Sequence, residues 1–302
     1  FAGLFIFILT LWAYYQKRKD NKQITYQKDE IAEKNVELEA QKSEIERIYK
    51  QTTDSITYAG RIQKAILPNI ETINNLGFDF SLLYIPKNIV SGDFYWIKNI
   101  NNKLYFAAAD CTGHGVPGAF MSILSISLLN EVTLDTKLSA AEILTKIRFL
   151  IKLSLQQTGK KLEQQDGMDI ALCLLDNQNN ELNFAGAHLP LFLFNKQNNN
   201  YILNHIQADR QPVGIYISEK DFTNHFLKIE KDNIIYVFSD GYFSQFGGQE
   251  NETFKLSRFK NLLIEIIDLP LKEQSKILEE RFIQWAGGKE QTDDILVFGI
   301  KI

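Results

Sequence analysis

Leu104-Tyr-Phe-Ala-Ala-Ala-Asp110 runs without a break into Cys111-Thr-Gly-His-Gly115. Six residues that carry no charge end on an acid, and two glycines follow within five positions. The run predicts a buried strand over Leu104–Ala109, and the glycines predict a tight turn after it. Next comes Val116–Val132, whose apolar residues recur at helical spacing, with Gly118 and Ser122 small enough for close packing. A second helix is expected over Ala140–Gln156. Upstream, Phe78–Ile85 and Asp93–Ile97 read as strands. Downstream, so do Met168–Leu175, Glu181–Ala187, Leu191–Asn195, Tyr201–Ile206, Thr223–Ile229 and Ile234–Ser239. The Asn- and Gln-rich stretches Asp176–Asn180 and Asn195–Asn200 predict hairpin loops. Helices over Arg258–Ile267 and Leu271–Ala286 precede a last strand, Ile295–Ile302. Strands in hairpin order, with helices arriving in pairs, predict an α+β fold of antiparallel sheets flanked by helices.

The chemistry is expected at strand ends. Asp110 closes one apolar strand. Asp240 closes another, Ile-Ile-Tyr-Val-Phe-Ser-Asp240, and is followed by Gly241. Asp293 and Asp294 open Ile-Leu-Val-Phe-Gly-Ile, and Asp93 opens Asp-Phe-Tyr-Trp-Ile after Ser91-Gly92. A carboxylate beside a buried strand loses hydration and needs a positive partner, yet no lysine or arginine adjoins these acids. In antiparallel sheets the relevant ends share an edge, so the acids are expected to converge. Converging carboxylates repel, and a hard divalent cation with oxygen ligands removes that repulsion. A lone aspartate beside a glycine is an ordinary turn; it is the repeated arrangement that points to a site. Zinc is excluded because His114, His188, His205 and His225 lack paired ligand spacing. No phosphate-cradling glycine loop of either common pattern is present.

The 302 residues carry 33 Lys and Arg against 37 Asp and Glu, a formal charge of −4, which excludes a general nucleic-acid binder. Cys111 and Cys173 cannot form a disulfide framework and suit a reducing compartment. Residues 1–16 begin Phe-Ala-Gly-Leu-Phe-Ile-Phe-Ile-Leu-Thr-Leu-Trp-Ala-Tyr-Tyr15 and lead into Lys17-Arg18-Lys19. The basic trio after the apolar run predicts the cytoplasmic end of a transmembrane helix whose start lies outside this sequence, with Trp12, Tyr14 and Tyr15 at the interface. Residues 17–57 read as a coiled coil. Ile24, Ile31, Leu38, Ile45, Thr52, Ala59 and Ile66 recur every seven positions, beside a weaker seam of Lys28, Asn35, Lys42, Tyr49 and Ile56. A parallel homodimer of marginal stability is expected, some 40 residues and about 60 Å long. Residues 58–76, containing Tyr58-Ala-Gly-Arg-Ile-Gln-Lys-Ala-Ile-Leu-Pro68, form a connecting or switch helix and linker, and 77–302 the catalytic domain.

Six motifs in order carry a family resemblance. They are Ser91-Gly92-Asp93-Phe94-Tyr95, Ala109-Asp110-Cys-Thr-Gly-His-Gly-Val-Pro-Gly-Ala119, Gly167-Met168-Asp169, Ala185-Gly186-Ala187-His188-Leu189-Pro190, Val237-Phe-Ser-Asp-Gly241 and Thr292-Asp293-Asp294-Ile295. Over about residues 56–302 the chain resembles the SpoIIE/RsbU branch of the PP2C-type (PPM) protein serine phosphatases. The resemblance implies two central antiparallel β-sheets between helices and a site for two Mn2+ or Mg2+ ions. It implies Asp110 as the bridging carboxylate and Asp93, Asp240 and Asp293 as further metal ligands. The backbone carbonyl of Cys111 would serve the second ion, and Asp294 would support the ligands. It also implies a phosphorylated protein as substrate, such as a STAS-type anti-sigma antagonist; the apolar start and the basic trio after it predict that the phosphatase domain is membrane-anchored and cytoplasmic.

The sequence departs from the wider family at two points. The eukaryotic branch has a histidine two residues after the bridging aspartate; here that residue is Thr112, which leaves His114 as a candidate acid only. His188 stands where other branches place an aspartate for a third metal. The alternative to an enzyme is a catalytically inactive dimeric scaffold with a phosphatase fold, and the survival of all four acids argues against it.

Overall fold

The computed structural model describes residues 2–74, 77–160, 165–198 and 200–302. In chain order the elements are α1 (Ala2–Ile66), α2 (Ile70–Asn74), β1 (Asp79–Ile85), β2 (Phe94–Ile100), β3 (Lys103–Cys111), α3 (Val116–Val132), α4 (Ala140–Ser154), β4 (Met168–Asp176), β5 (Glu181–Ala187), β6 (Leu191–Gln197), β7 (Asn200–Ile206), β8 (His225–Lys228), β9 (Ile234–Phe238), α5 (Gly241–Ser244), β10 (Phe246–Gly247), β11 (Glu252–Thr253), α6 (Leu256–Ile266), α7 (Leu271–Ala286) and β12 (Ile295–Lys301). Short polar turns join β2 to β3, β4 to β5 and β6 to β7 as hairpins, and longer connections and helices complete two five-stranded antiparallel sheets. One sheet has the order β1-β12-β9-β6-β7 and the other β2-β3-β4-β5-β8, with β10-β11 a separate short hairpin.

Alternation along the first sheet shows how its two faces are filled. Leu296, Phe298 and Ile300 of β12, Ile235 and Val237 of β9, and Leu191 and Leu193 of β6 join the core shared with the second sheet. Their neighbours Ile295, Val297, Ile234, Tyr236, Phe238, Phe192 and Phe194 join the core under α6 and α7. Both faces are covered, so these strands are apolar at nearly every position. Phe298 crosses between the sheets: its ring lies 6.2 Å from that of Phe106 on β3, edge to face, and 6.3 Å from that of Tyr95 on β2. Burying such a ring contributes about 1.5–3 kcal/mol. α3 and α4 cover the second sheet. α4 starts on a capping box, in which Ser139 accepts from Glu142 N–H while the Glu142 carboxylate accepts from Ser139 N–H. The β2–β3 hairpin pairs Ile100 with Lys103 across Asn101 and Asn102, whose φ values of 52° and 64° are the left-handed values that a two-residue hairpin turn demands.

Residues Phe1–Ser55 and Ile56–Ile302 form two compact units. In the first, the helix is exposed along its length, including Ile24, Ile31, Leu38 and Ile45, and it carries the i,i+4 pair Glu30–Lys34. One helix runs from Ala2 to Ile66, and the division between the two units falls within it, at Ser55/Ile56. The helix stops at Leu67-Pro68, as the proline predicts. The apolar residues to Tyr15 form its first turns, and no helix among the described residues is long and apolar enough to cross a membrane. Phe1 of the expected membrane segment, Asn75 and Leu76 of the expected linker, and Asn199 of the second expected loop lie outside the described residues.

Candidate metal centre

Asp110 is the next-to-last residue of β3, one strand from the sheet edge, and it faces Asp169 of β4 directly in register. Asp93 immediately precedes β2, the edge strand paired to β3. Asp240 follows β9, and Asp293 and Asp294 precede β12, the strand hydrogen-bonded beside β9. The expected convergence therefore occurs, with one correction. The acids come from matching ends of two stacked sheets, not from the ends of one, because β2 and β3 belong to one sheet and β9 and β12 to the other.

The electrostatics follow from that convergence. Asp93 is only 2% exposed, and its Oδ2 has no hydrogen-bond partner. Burial, then the charge of Asp110, holds its carboxyl well above the ordinary range, and the Ser239 hydroxyl offsets only part of this. Burial lifts Asp110 to about 7, with Asp240, Asp293 and Asp169 adding to the rise and a hydrogen bond with Asp93 opposing it. Asp240 is raised by burial and then by Asp293, against a 3.3 Å hydrogen bond donated by Ser244. The charges acting on these three carboxyls are those of other acids; no lysine or arginine among the described residues offsets them.

Asp294 has a different task. Buried to 2% exposure, it accepts from Lys87 N–H at 2.7 Å and Gly92 N–H at 2.8 Å. It thus fixes the backbone that presents Asp93. The same turn is held from α1. Gln63 donates to the Ser91 carbonyl at 2.6 Å and to Ser122 Oγ at 2.8 Å, and accepts from Ser91 N–H at 3.1 Å. Gly92 is required here: a Cβ would lie 2.8 Å from the Gly113 carbonyl and 3.0 Å from that of Cys111. The Cys111 carbonyl therefore faces the turn that carries Asp93. The Cys111 thiol points into the core, 3.8 Å from Ser125 Oγ, and burial pushes it far up, which suits a packing residue and not a nucleophile.

Of the two histidine candidates, geometry favours the one the sequence left aside. His114 is exposed on its loop and lines neither cavity beside Asp110. Thr112, at the position of the eukaryotic histidine, is committed to clamping β4: it donates to the Gly167 carbonyl at 2.8 Å and accepts from Gly167 N–H at 2.7 Å. Sequence reasoning missed a fifth acid, Asp169. It is raised by burial and bonded at 2.8 Å to Nδ1 of His188. The sequence offered Asp169 within the motif Gly167-Met168-Asp169, but nothing there assigned it a role at the site. Cavities of about 380 and 310 Å3 open on either side, and both are lined by Asp110, Asp169 and His188.

Among the described residues no group of three or more His, Cys, Asp or Glu side chains forms a ready-made metal cage. The donor set still fits a hard divalent cation. It is all oxygen, it lacks a counter-charge, and one carboxylate oxygen is buried without a partner. Mg2+ in particular is held by one or two carboxylates and keeps several waters, so it needs no closed cage.

A family model for Stage II sporulation protein E (SpoIIE) matches residues 101–302. The chain belongs to the SpoIIE family. The SiaA-PP2C domain of Pseudomonas aeruginosa superposes with a TM-score of 0.75 at 27% identity, over 84% of this chain and 98% of that one. The PP2C phosphatase domain of SpoIIE from Bacillus subtilis, solved with a fragment of its regulatory domain, gives 0.60 at 22% identity, over 74% of this chain and 63% of that one. RsbX in complex with magnesium gives 0.52 at 11%, over 74% and 94%. The fold is that of the PP2C phosphatases, and this SpoIIE-family chain is a PP2C-type protein phosphatase. No curated protein matches it.

Proposed function

We propose that this chain hydrolyses phosphoserine or phosphothreonine on a signalling protein at a site for two Mn2+ or Mg2+ ions. One observation carries the reading: Asp93, Asp110, Asp240 and Asp293 crowd together at the ends of two sheets, and the charges that act on them are those of acids, Asp169 and Asp294 included. Asp110, between the others, would bridge the ions, with Asp93, Asp240, Asp293 and the Cys111 carbonyl completing the protein's share. Two such ions, when bound, make a water nucleophilic at neutral pH and neutralise charge that develops on the phosphoryl group. The chain's own part is to hold the carboxylates in place. Asp294 and Gln63 do this for Asp93, and Thr112 for the loop after Asp110. RsbX, of the same fold, was solved with magnesium; the all-oxygen donor set suits that class of ion here too.

The substrate reading is a phosphorylated partner of the STAS anti-sigma antagonist type, which rests on the family resemblance. We also infer control through the N-terminal helix. The seam Ile24, Ile31, Leu38 and Ile45 is exposed at 48–66%, as a helix awaiting a parallel second copy would be. The apolar segment before Lys17 supports membrane anchorage with the phosphatase domain cytoplasmic. Gln63, the one buried residue among those described in α1, gives that helix a grip on the turn beside Asp93.

The test is Mn2+-dependent hydrolysis of a phosphoserine peptide and a chromogenic phosphate ester. Asp110→Asn and Asp240→Asn are expected to abolish both activities. Metal-independent turnover, or full activity in both variants, contradicts the reading; folded wild type inert at millimolar Mn2+ favours the scaffold.

A further inference from the structure

We propose that His188, oriented by Asp169, is the general acid that protonates the departing serine oxygen. This rests on the phosphatase reading and adds to it a residue for the leaving group. Three observations point the same way. First, His188 sits at a φ of 55°, at the centre of a three-residue turn closed by Leu189 N–H donating to the Ala187 carbonyl at 2.6 Å. Turns of this form with positive φ are rare and strained, and such strain persists where the surroundings enforce it. The enforcing contact is His188 N–H donating to the Asp209 carbonyl at 2.8 Å, while Asp209 N–H returns a bond to Gly186 at 3.0 Å. Second, the ring is held: Nδ1 lies 2.8 Å from Asp169 Oδ1, and with that carboxylate ionised the bond is Nδ1–H donating to it. Nε2 has no hydrogen-bond partner among the described residues. Third, the side chain is 38% exposed and lines both cavities that open on Asp110, one of them shared with Asp240.

An imidazole fixed at one nitrogen by a carboxylate presents the other in a set orientation. The chemistry balances as follows. A water oxygen bonds to phosphorus as the bond from phosphorus to serine Oγ breaks. The electron pair of that bond passes to Oγ, which takes the proton from His188 Nε2 and leaves as the alcohol. The attacking water's proton returns the ring to its starting state through solvent. His188 would touch the substrate; Asp169 is a positioning residue.

Leaving-group dependence tests this. A serine alkoxide must be protonated as it departs, whereas p-nitrophenolate leaves as a stable anion. Asn and Gly both tolerate the left-handed backbone at this position, so H188N and H188G are suitable variants. With the full chain and Mn2+, H188N is expected to lose ~10²–10⁴-fold on a phosphoserine peptide and at least about tenfold less than that on p-nitrophenyl phosphate. Added imidazole is expected to restore phosphoserine turnover in H188G at least about tenfold, and D169N to lose ~10–100-fold on the peptide alone. Equal losses on both esters, no loss on either, or no rescue by imidazole overturns the assignment. A wild type inert on both esters removes the phosphatase reading, and the acid with it.

Discussion

At the residue scale, Asp93 and Asp294 differ: Asp93 Oδ2 is buried without a partner, whereas Asp294 accepts from two backbone N–H groups. Asp294→Ala removes a buried charge acceptor from two N–H donors. Each such bond contributes about 1.5–3 kcal/mol, so thermal unfolding should show a loss of several kcal/mol together with weaker Mn2+ binding. A loss of metal affinity without any loss of stability would make Asp294 a ligand. Cys111→Ser should keep activity, because only the carbonyl faces the site. Loss of most turnover at unchanged metal content contradicts that placement. Asp93, Asp110, Asp240 and Asp293 were legible because each breaks an apolar run at its end, where an acid is conspicuous. Asp169 was not, since it lies within the first residues of a strand whose remainder is apolar, and only its cross-strand partner Asp110 gives it meaning. The choice between His114 and His188 was equally hidden: it depends on a partner 19 residues away from His188.

At the element scale, the spans of α3 and α7 were readable to the residue, since Gly115 and Pro117 mark the start of α3, Pro270 and Gly287 bracket α7, and apolar spacing fills both. β8 was expected to begin at Thr223, but Thr223 N–H and Oγ1 are engaged by Asp209 instead of a neighbouring strand. The β10–β11 hairpin escaped notice because two-residue strands carry no periodicity. Pairing order also lay beyond the sequence. β6 and β9 are hydrogen-bonded across the excursion of β7 and β8, which no local pattern records. The junction of α1 with the Ser91 turn is the element contact with most bearing on activity. Gln63→Ala leaves the Ser91 carbonyl and N–H without their side-chain partner, at about 1–3 kcal/mol for each buried group left unsatisfied. Expected is weaker Mn2+ affinity and lower turnover with native circular dichroism; unchanged affinity would show that α1 does not hold the Asp93 turn.

At the scale of the whole molecule, the stacked sheets were foreseen as layers, while their meeting at one acid-rich end is a property of the assembled fold. That end makes stability depend on pH in a sense opposite to the usual carboxylate. Asp110 sits at about 7 in the fold against 3.8 when exposed, and Asp93 is raised as well. The folded chain therefore binds protons more tightly than the unfolded one. Stabilisation from these groups is complete below the exposed value and is lost as pH rises through the folded one. The metal-free chain should melt at higher temperature at pH 6 than at pH 8, and saturating Mn2+ should reverse the order, because ligands must deprotonate to bind. A further prediction concerns residues 1–55. Removing them should convert a dimer to a monomer in sedimentation and change turnover, whereas equal turnover with and without them removes the case for control by the helix. The measurement closest to the central claim is calorimetric titration of Mn2+ into the metal-free chain and into Asp110→Asn. Two ions per wild-type chain, with binding lost or reduced to a weak single ion in the variant, is the predicted result. A wild type that takes up no Mn2+ at millimolar concentration, or a variant that binds as wild type does, would contradict a centre built around Asp110.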